Sequence, residues 1–458
     1  MILYLTRRGF PWRDLRETFI LAIPLIAAQM ALFAQHTVDV LLAGHLGARV
    51  LGIVAIGTNA WGVALMGIVG LMMALPPGVA QLDGAGRRGE IVPLFRQALW
   101  LALFVGVAVS GLAWLLAPHV VGLLGIDAAV TAETVAFLRV LSLTAPAVAV
   151  FCACRGLTDG ISRPRVSLCF GLLGLAVLAP LGWVLMYGKL GLPALGAMGC
   201  AWANVTAMWI SALSYLAYVR FSGVARGLGW EVAGILPRRA AMMALLRVGA
   251  PMSASVMLEA GVFAAAALVV ASFGEVAAAS HQIALNVGAL SFMIPLGLSM
   301  AVTVRVGNAV GRGDPAGVRR AGLVGIGTAL ATQSVPATLM WLLPLQIAAL
   351  YTSDPALIAG AGSLLVLAAL FQLSDGVQVA AMGALRGLKD TQVPMLIAAF
   401  SYWGVGMPAG WLLCFQGGMG IGGMWVGLIL GLTFAAVLLT ARFHLRTRGR
   451  VAVPALAG

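Results

Sequence analysis

Long apolar runs alternate with short polar intervals from one end of the chain to the other. Runs of about 20 or more residues, each enough to cross a hydrocarbon core of about 30 Å, fall at 17–43, 51–75, 94–117, 132–154, 164–187 and 195–219. After a polar stretch they resume at 243–270, 278–302, 320–345, 357–385, 392–415 and 420–441. The pattern predicts an all-α polytopic membrane protein of about twelve transmembrane helices.

Composition narrows the class. The 458 residues are 61% hydrophobic and only 9% charged, against about 25% charged in soluble domains. A mean hydropathy of +1.02 excludes a water-soluble globule. Met1–Trp12 carries Arg7 and Arg8 and runs into the first apolar segment without a small-residue cleavage site, so no removable signal is expected. The five cysteines, Cys152, Cys154, Cys169, Cys200 and Cys414, lie in apolar runs without a C-x-x-C pair and read as small hydrophobes packed between helices.

The net charge of +13 changes meaning once it is read loop by loop. Of the 28 basic residues, all but Arg49, Arg139 and Lys189 fall on one alternating set of loops and on the termini. By the positive-inside rule both termini are expected to be cytoplasmic, and the expected location is a bacterial-type inner (plasma) membrane. The charge is then topology: lipid is the expected surrounding, nucleic acid has no part, and a monomer is the expected state.

Four patches recur in order at offsets of about 223 to 231 residues. IPLIAAQM at Ile23–Met30 resembles APMSASVM at Ala250–Met257, with Pro24 facing Pro251. QLDGAGRRG faces RVGNAVGRGD, RGLTD at Arg155–Asp159 faces RGLKD at Arg386–Asp390, and LGAMGCAW faces MGIGGMW. The chain is therefore read as an N-lobe (1–220, helices 1–6), a cytoplasmic linker (221–241) and a C-lobe (242–458, helices 7–12). Six spans per lobe restart on the same side, which relates the lobes by a pseudo-two-fold along the membrane normal.

Candidate chemistry resides in three acids. Twelve of the fifteen acidic residues sit in loops or at helix ends, leaving Asp39, Glu259 and Asp375 inside spans. An unpaired acid at the centre of an inserted helix costs roughly 2.5 to 3.5 kcal/mol, and such residues commonly mark ion or proton sites. The bland reading, a protonated carboxyl bonded to a neighbouring helix, serves for one residue but less well for three. No arginine or lysine is expected at matching depth in most of these helices. Gln372 and Gln378 flank Asp375 on its helical face, Gln35 and His36 precede Asp39 by one turn, and the eighth span adds His281, Gln282 and Asn286. These carboxylates and amide oxygens could hold Na⁺, or a carboxyl could carry a proton. For any single amide, a helix-to-helix hydrogen bond worth about 0.6 kcal/mol is an equal reading.

Pro24, Pro251, Pro295, Pro336, Pro344 and Pro408 are expected within spans, where each frees a carbonyl and permits a kink. Met72, Met73, Met252, Met257, Trp61, Tyr402, Trp403 and Met407 could line an adaptable apolar cavity, although lipid or core contact accounts for most of them.

Several stretches together resemble the multidrug and toxic compound extrusion (MATE) transporters, in the NorM branch. They are VDVLLAG at Val38–Gly44, ALPPGVAQLDGAGR at Ala74–Arg87, LEAGVFAAAALVV at Leu258–Val270, AASHQIALN at Ala278–Asn286, FQLSDGVQVAAMGALRGLKD at Phe371–Asp390 and GMWVGLILGLT at Gly423–Thr433. The resemblance implies an antiporter that exports amphipathic, often cationic organic compounds or drugs in exchange for inward Na⁺ or H⁺. It also implies two six-helix lobes in a V around a central cavity. By position, Glu259 and Asp375 look like the cation-binding acids of the C-lobe, with Na⁺ as the candidate metal, Asn286 and Thr433 as helpers, and Asp39 as the N-lobe acid. Two asparagines usual in the fifth span stand here as Leu178 and Gly182, and a tyrosine often found four residues before the C-lobe Asp is Phe371.

The alternative within the same superfamily is a lipid-linked saccharide flippase. It would want an arginine-rich cavity for pyrophosphate, whereas the arginines here are expected almost entirely in cytoplasmic loops. No H-E-x-x-H, G-x-S-x-G or clustered His/Asp set supports an enzyme. No cofactor is expected beyond the transported Na⁺ or H⁺.

Overall fold

The structure is a computed structural model that describes residues 12–123, 125, 127–225, 228, 230 and 236–448. Arg7, Arg8, Arg226 and Arg450, which entered the charge asymmetry, lie outside the described residues, as does much of the linker.

The described residues are almost entirely helical. Eleven helices are long and apolar enough to cross a membrane: α1 (Trp12–Gly44), α2 (Ala48–Gly84), α3 (Arg88–Gly122), α4 (Ala128–Gly160) and α5 (Pro164–Tyr187), then α7 (Arg239–Ala271), α8 (Glu275–Gly311), α9 (Pro315–Leu342), α10 (Pro355–Gly387), α11 (Gln392–Phe415) and α12 (Ile421–Arg448). The remaining expected span is a 25-residue helix, α6 (Ala197–Phe221). It falls outside that set because Asn204, Thr206, Ser211 and Ser214 dilute its apolar run.

Local chemistry sets the helix boundaries. Asp314 and Asp354 cap α9 and α10 by accepting from the backbone N–H groups of Gly317 and Ala356, each at 2.8 Å. Proline fills the first turn that follows, where its missing N–H has no cost. Pro344 starts a short helix, Pro344–Ala349, rather than lying inside the ninth span as expected. α2 and α4 each break once, before Leu75-Pro76-Pro77 and before Ala145-Pro146, and then continue to Gly84 and Gly160. The loops expected around Gln81 and Arg155 are therefore final helical turns.

α11 departs from regular geometry. Pro408 cannot supply the N–H that an α-helical ladder needs, and the preceding segment Phe400–Gly406 widens into a π-helix that absorbs the slip. Here the α11 and α12 backbones nearly touch: a Cβ on Gly427 would lie 2.3 Å from the Gly410 Cα and 2.6 Å from the Gly406 oxygen. Such small-residue seams are how membrane helices gain van der Waals contact where the hydrophobic effect no longer drives association.

The chain forms two compact units, Ala27–Ser253 and Met1–Ile26 with Ala254–Gly458. The lobes read from the repeat, 1–220 and 242–458, follow chain order; the compact units instead exchange the leading parts of α1 and α7. In the unit containing α8, the α1 segment packs so closely that a Cβ on Gly297 would lie 2.6 Å from the Ile26 nitrogen. Arg305 fixes the same segment, meeting Asp14 at 2.8 Å, Glu17 at 3.0 Å and the Thr18 hydroxyl at 2.7 Å. Arg305, expected in a loop, is thus a helix-to-helix tie. In the unit containing α2, the start of α7 packs on Leu71 through Gly249, and Ser253 donates to the Gly67 carbonyl at 2.9 Å.

Candidate functional site

Asp375 is buried in α10, 2% exposed, and its Oδ1 has no hydrogen-bond partner. Glu259, partly buried on α7 of the same unit, is its electrostatic neighbour. A third charge joins them. Arg386 lies eleven residues beyond Asp375, about three helical turns, so both project from one face of α10 with Gln378 and Met382 between them. Helical side chains lean toward the N-terminus, which carries the Arg386 guanidinium back along this stripe. It donates to the Met382 carbonyl at 3.4 Å and to Ser299 Oγ on α8 at 3.1 Å, and it acts electrostatically on Glu259. Arg386 lies in the last turn of α10, at the helix end expected of it, but it is buried, 7% exposed, rather than solvated. Its helical phase with Asp375 was the available signal. Lys389, just past the helix in left-handed backbone at φ 57°, has its ammonium pushed below the usual lysine range by burial.

The amides divide. Gln378 donates to the Tyr402 hydroxyl at 2.6 Å while its own Oε1 stays unpartnered and buried, so it offers an acceptor beside Asp375. Gln372 instead bridges three helices, accepting from Gln333 on α9 at 2.8 Å and donating to the Gly288 carbonyl on α8 at 3.1 Å. Asn286 accepts from the Tyr351 hydroxyl at 2.9 Å, Thr433 bonds Ser374 at 2.7 Å, and Gln282 is exposed. Phe371 belongs to an aromatic cluster, 5.8 Å from both Phe263 and Trp425, and the Trp425 indole N–H donates to His281 Nδ1 at 3.1 Å.

In the other unit Asp39, 6% exposed, is held from α6. Asn204 Nδ2 lies 3.1 and 3.0 Å from its two oxygens, and the Cys200 thiol donates at 3.4 Å. Cys200, read from the sequence as a small packed hydrophobe, is a donor to the carboxylate, and Asn204 was not singled out although it is an amide inside an apolar run like those that were. Gln35 turns away to the Gly171 carbonyl at 3.2 Å. Leu178 packs in a small apolar cluster with Ala203 and Ala207, and Gly182 faces Leu42.

One further buried acid was missed. Asp159, expected in a loop or at a helix end, is 5% exposed in the last turn of α4. Arg155 pairs with it at 3.3 Å, Ser167 donates to it, and Tyr215 completes the group by bonding Ser167 at 3.0 Å. Every member has a partner within the cluster, which reads as a structural tie among α4, α5 and α6.

Among the described residues no three His, Cys, Asp or Glu side chains form a metal-holding group. An ion at Asp375 would therefore draw on carboxylate oxygens together with neutral ones such as Gln378 Oε1. A hard cation suits that donor set.

Comparison with known proteins places the whole chain. The MatE family model matches twice, over residues 24–184 and 251–412, and the two matches begin at Pro24 and Pro251, the pair that the internal repeat aligns. The chain is 43% identical over 439 residues to a probable multidrug resistance protein NorM of Xanthomonas campestris, covering 95% of each. It is 41% identical over 437 residues to the multidrug resistance protein PmpM of Pseudomonas aeruginosa, covering 94% of this chain and 91% of that one. In fold it matches the eukaryotic MATE transporter AtDTX14 with a TM-score of 0.86 at 22% identity, over 96% of this chain and 98% of that one. A MOP superfamily transporter from Pyrococcus furiosus matches with a TM-score of 0.87 at 20% identity, over 95% and 96%. The chain is a multi-pass membrane protein and belongs to the MATE family, in its NorM branch: a transporter, not an enzyme.

Proposed function

We propose that this protein is a secondary antiporter that exports amphipathic, often cationic organic compounds in exchange for inward Na⁺ or H⁺. The observation that carries the reading is the Glu259–Asp375 pair. It puts two carboxylates near one another in a single unit, one of them with an unpartnered oxygen, and leaves a neutral acceptor beside them. The Arg386 guanidinium acts on Glu259, so the three groups carry one net negative charge when both acids are ionised, and binding one monovalent cation neutralises it. An isolated charge is costly within a membrane, so occupied and empty forms differ in energy. A cation can then bias one conformation over another only through such a difference. Multidrug resistance is said of the NorM and PmpM relatives by their names, and it motivates the choice of organic cations as cargo. The arginine asymmetry of the loops supports cytoplasmic termini, and the bacterial sources of the NorM and PmpM relatives support residence in a bacterial-type inner membrane.

The test is export of a fluorescent cationic dye from proteoliposomes under a Na⁺ gradient alone and then under a proton gradient alone. Export driven by at least one gradient is expected. If neither gradient drives export, coupled antiport is refuted.

A further inference from the structure

The π-helical turn in α11 has a position that packing alone does not explain. Its consecutive residues Tyr402 and Trp403 reach both helices that carry the carboxylates. Tyr402, 1% exposed, accepts the hydrogen bond from Gln378, one turn from Asp375 on the same face of α10. Trp403 donates its indole N–H to the carbonyl of Leu258, the residue before Glu259, at 3.1 Å. Gly261 makes the approach possible, since a Cβ there would lie 3.2 Å from the Trp403 ring. A regular α-helix turns about 100° per residue and a π-helix turns less, so the wide turn brings neighbouring side chains closer in direction. The bond from Gln378 occupies the phenol oxygen as an acceptor and leaves its O–H available to donate. Both Glu259 and Asp375 are electrostatic neighbours of that phenol.

We infer that Tyr402 is a positioning residue of the carboxylate pair: its hydroxyl, fixed by Gln378, orients Glu259 and Asp375 for the coupling cation. The inference rests on the coupled-antiport reading and adds to it a residue on a third helix. With no cation bound, the phenol O–H is free to donate to either carboxylate. When a cation enters, the carboxylate turns to the ion and the hydroxyl stays beside it as a donor or a neutral oxygen ligand. Because α11 and α12 meet backbone to backbone at Gly410 and Gly427, a shift of Tyr402 has a rigid seam to act on.

The experiment uses the full-length protein in lipid nanodiscs. Intrinsic tryptophan fluorescence is titrated with Na⁺ at fixed pH and with protons in Na⁺-free buffer. Ethidium binding is measured separately by polarisation in Na⁺-free buffer at high pH. Tyr402→Phe removes only the hydroxyl, and the cation concentration at half response is expected to rise about tenfold, the size of one charge-assisted hydrogen bond, with ethidium affinity unchanged. Trp403→Phe, which removes the indole N–H that anchors the same turn to the Leu258 carbonyl and touches no candidate ligand, is expected to shift the response in the same direction and carries the test alone if Tyr402→Phe does not fold; Gln378→Leu cannot, because it also removes Oε1. If the wild type responds to cation and both variants titrate like it, the Tyr402 inference is overturned while coupled antiport stands. If ethidium affinity falls together with the cation response, the hydroxyl serves the fold at large and the inference is overturned as well. If the wild type responds to neither cation, the underlying reading and the inference fall together.

Discussion

Asn204 Nδ2 stands 3.1 and 3.0 Å from the two oxygens of Asp39, and its α6 backbone is one turn from the Cys200 thiol that meets the same carboxylate. Asp39 is thus a buried acid with donors in place, whereas Asp375 keeps an oxygen without one. Leaving a buried carboxylate without a donor costs about 1–3 kcal/mol or more. Asn204→Leu is therefore expected to lower the thermal unfolding midpoint in detergent, and Asp39→Asn to lower it less. Equal midpoints for wild type and Asn204→Leu would remove the bond from the energetic picture.

The duplicated RG-L-x-D segments differ in what their arginines meet. Arg155 pairs with Asp159 four residues on, at 3.3 Å. In the second half Asp390 takes Arg442 and Arg446 from α12, both at 3.0 Å, and Arg386 reaches Ser299 and the field of Glu259. Removing one partner of a buried ion pair costs about 3–5 kcal/mol, whereas Arg442 and Arg446 share the part-buried Asp390, so losing one leaves its charge paired. Arg386→Gln is expected to reduce dye export at least about tenfold. Arg442→Gln should reduce it less than about threefold, because Arg446 still holds Asp390. Export rates in the same vesicles, corrected for protein incorporated, check the order; the reverse order contradicts it.

The glycine seam between α11 and α12 gives a steric test. A methyl at position 427 would meet the Gly410 Cα at 2.3 Å, whereas one at Gly422 finds its nearest atom, Leu367 Cδ1, at 3.7 Å. Forcing atoms into a packed interface costs about 1–3 kcal/mol. Gly427→Ala is expected to unfold at a lower temperature, and Gly422→Ala to stay within error of wild type, by fluorescence-monitored unfolding in the same detergent.

The architecture was legible because a membrane imposes long apolar runs, and all twelve runs lie in long helices. Helix ends were less legible. Proline-led breaks let α2 and α4 run on past their apolar stretches to Gly84 and Gly160, so the burial of Arg155 and Asp159, expected beyond the fourth apolar run, was not legible. Burial of Arg386 escaped for a related reason: a charge near the end of an apolar run looks solvated unless its helical phase against Asp375 is followed. Asp375, Glu259 and Asp39 stood out because charge is rare in such segments. Their partners did not. Tyr402 reaches Gln378 from a π-turn that shifts the register, and Asn204 reaches Asp39 across 165 residues of chain, a pairing that no local spacing encodes.

The most direct measurement of the central claim is dye export by Glu259→Gln and Asp375→Asn proteoliposomes under the gradient that drives the wild type. Coupling free energies between sites commonly span about 5- to 150-fold, and each variant is expected to lose at least about tenfold in rate while still binding dye. Export by both variants at the wild-type rate would contradict the assignment of the coupling site to Glu259 and Asp375.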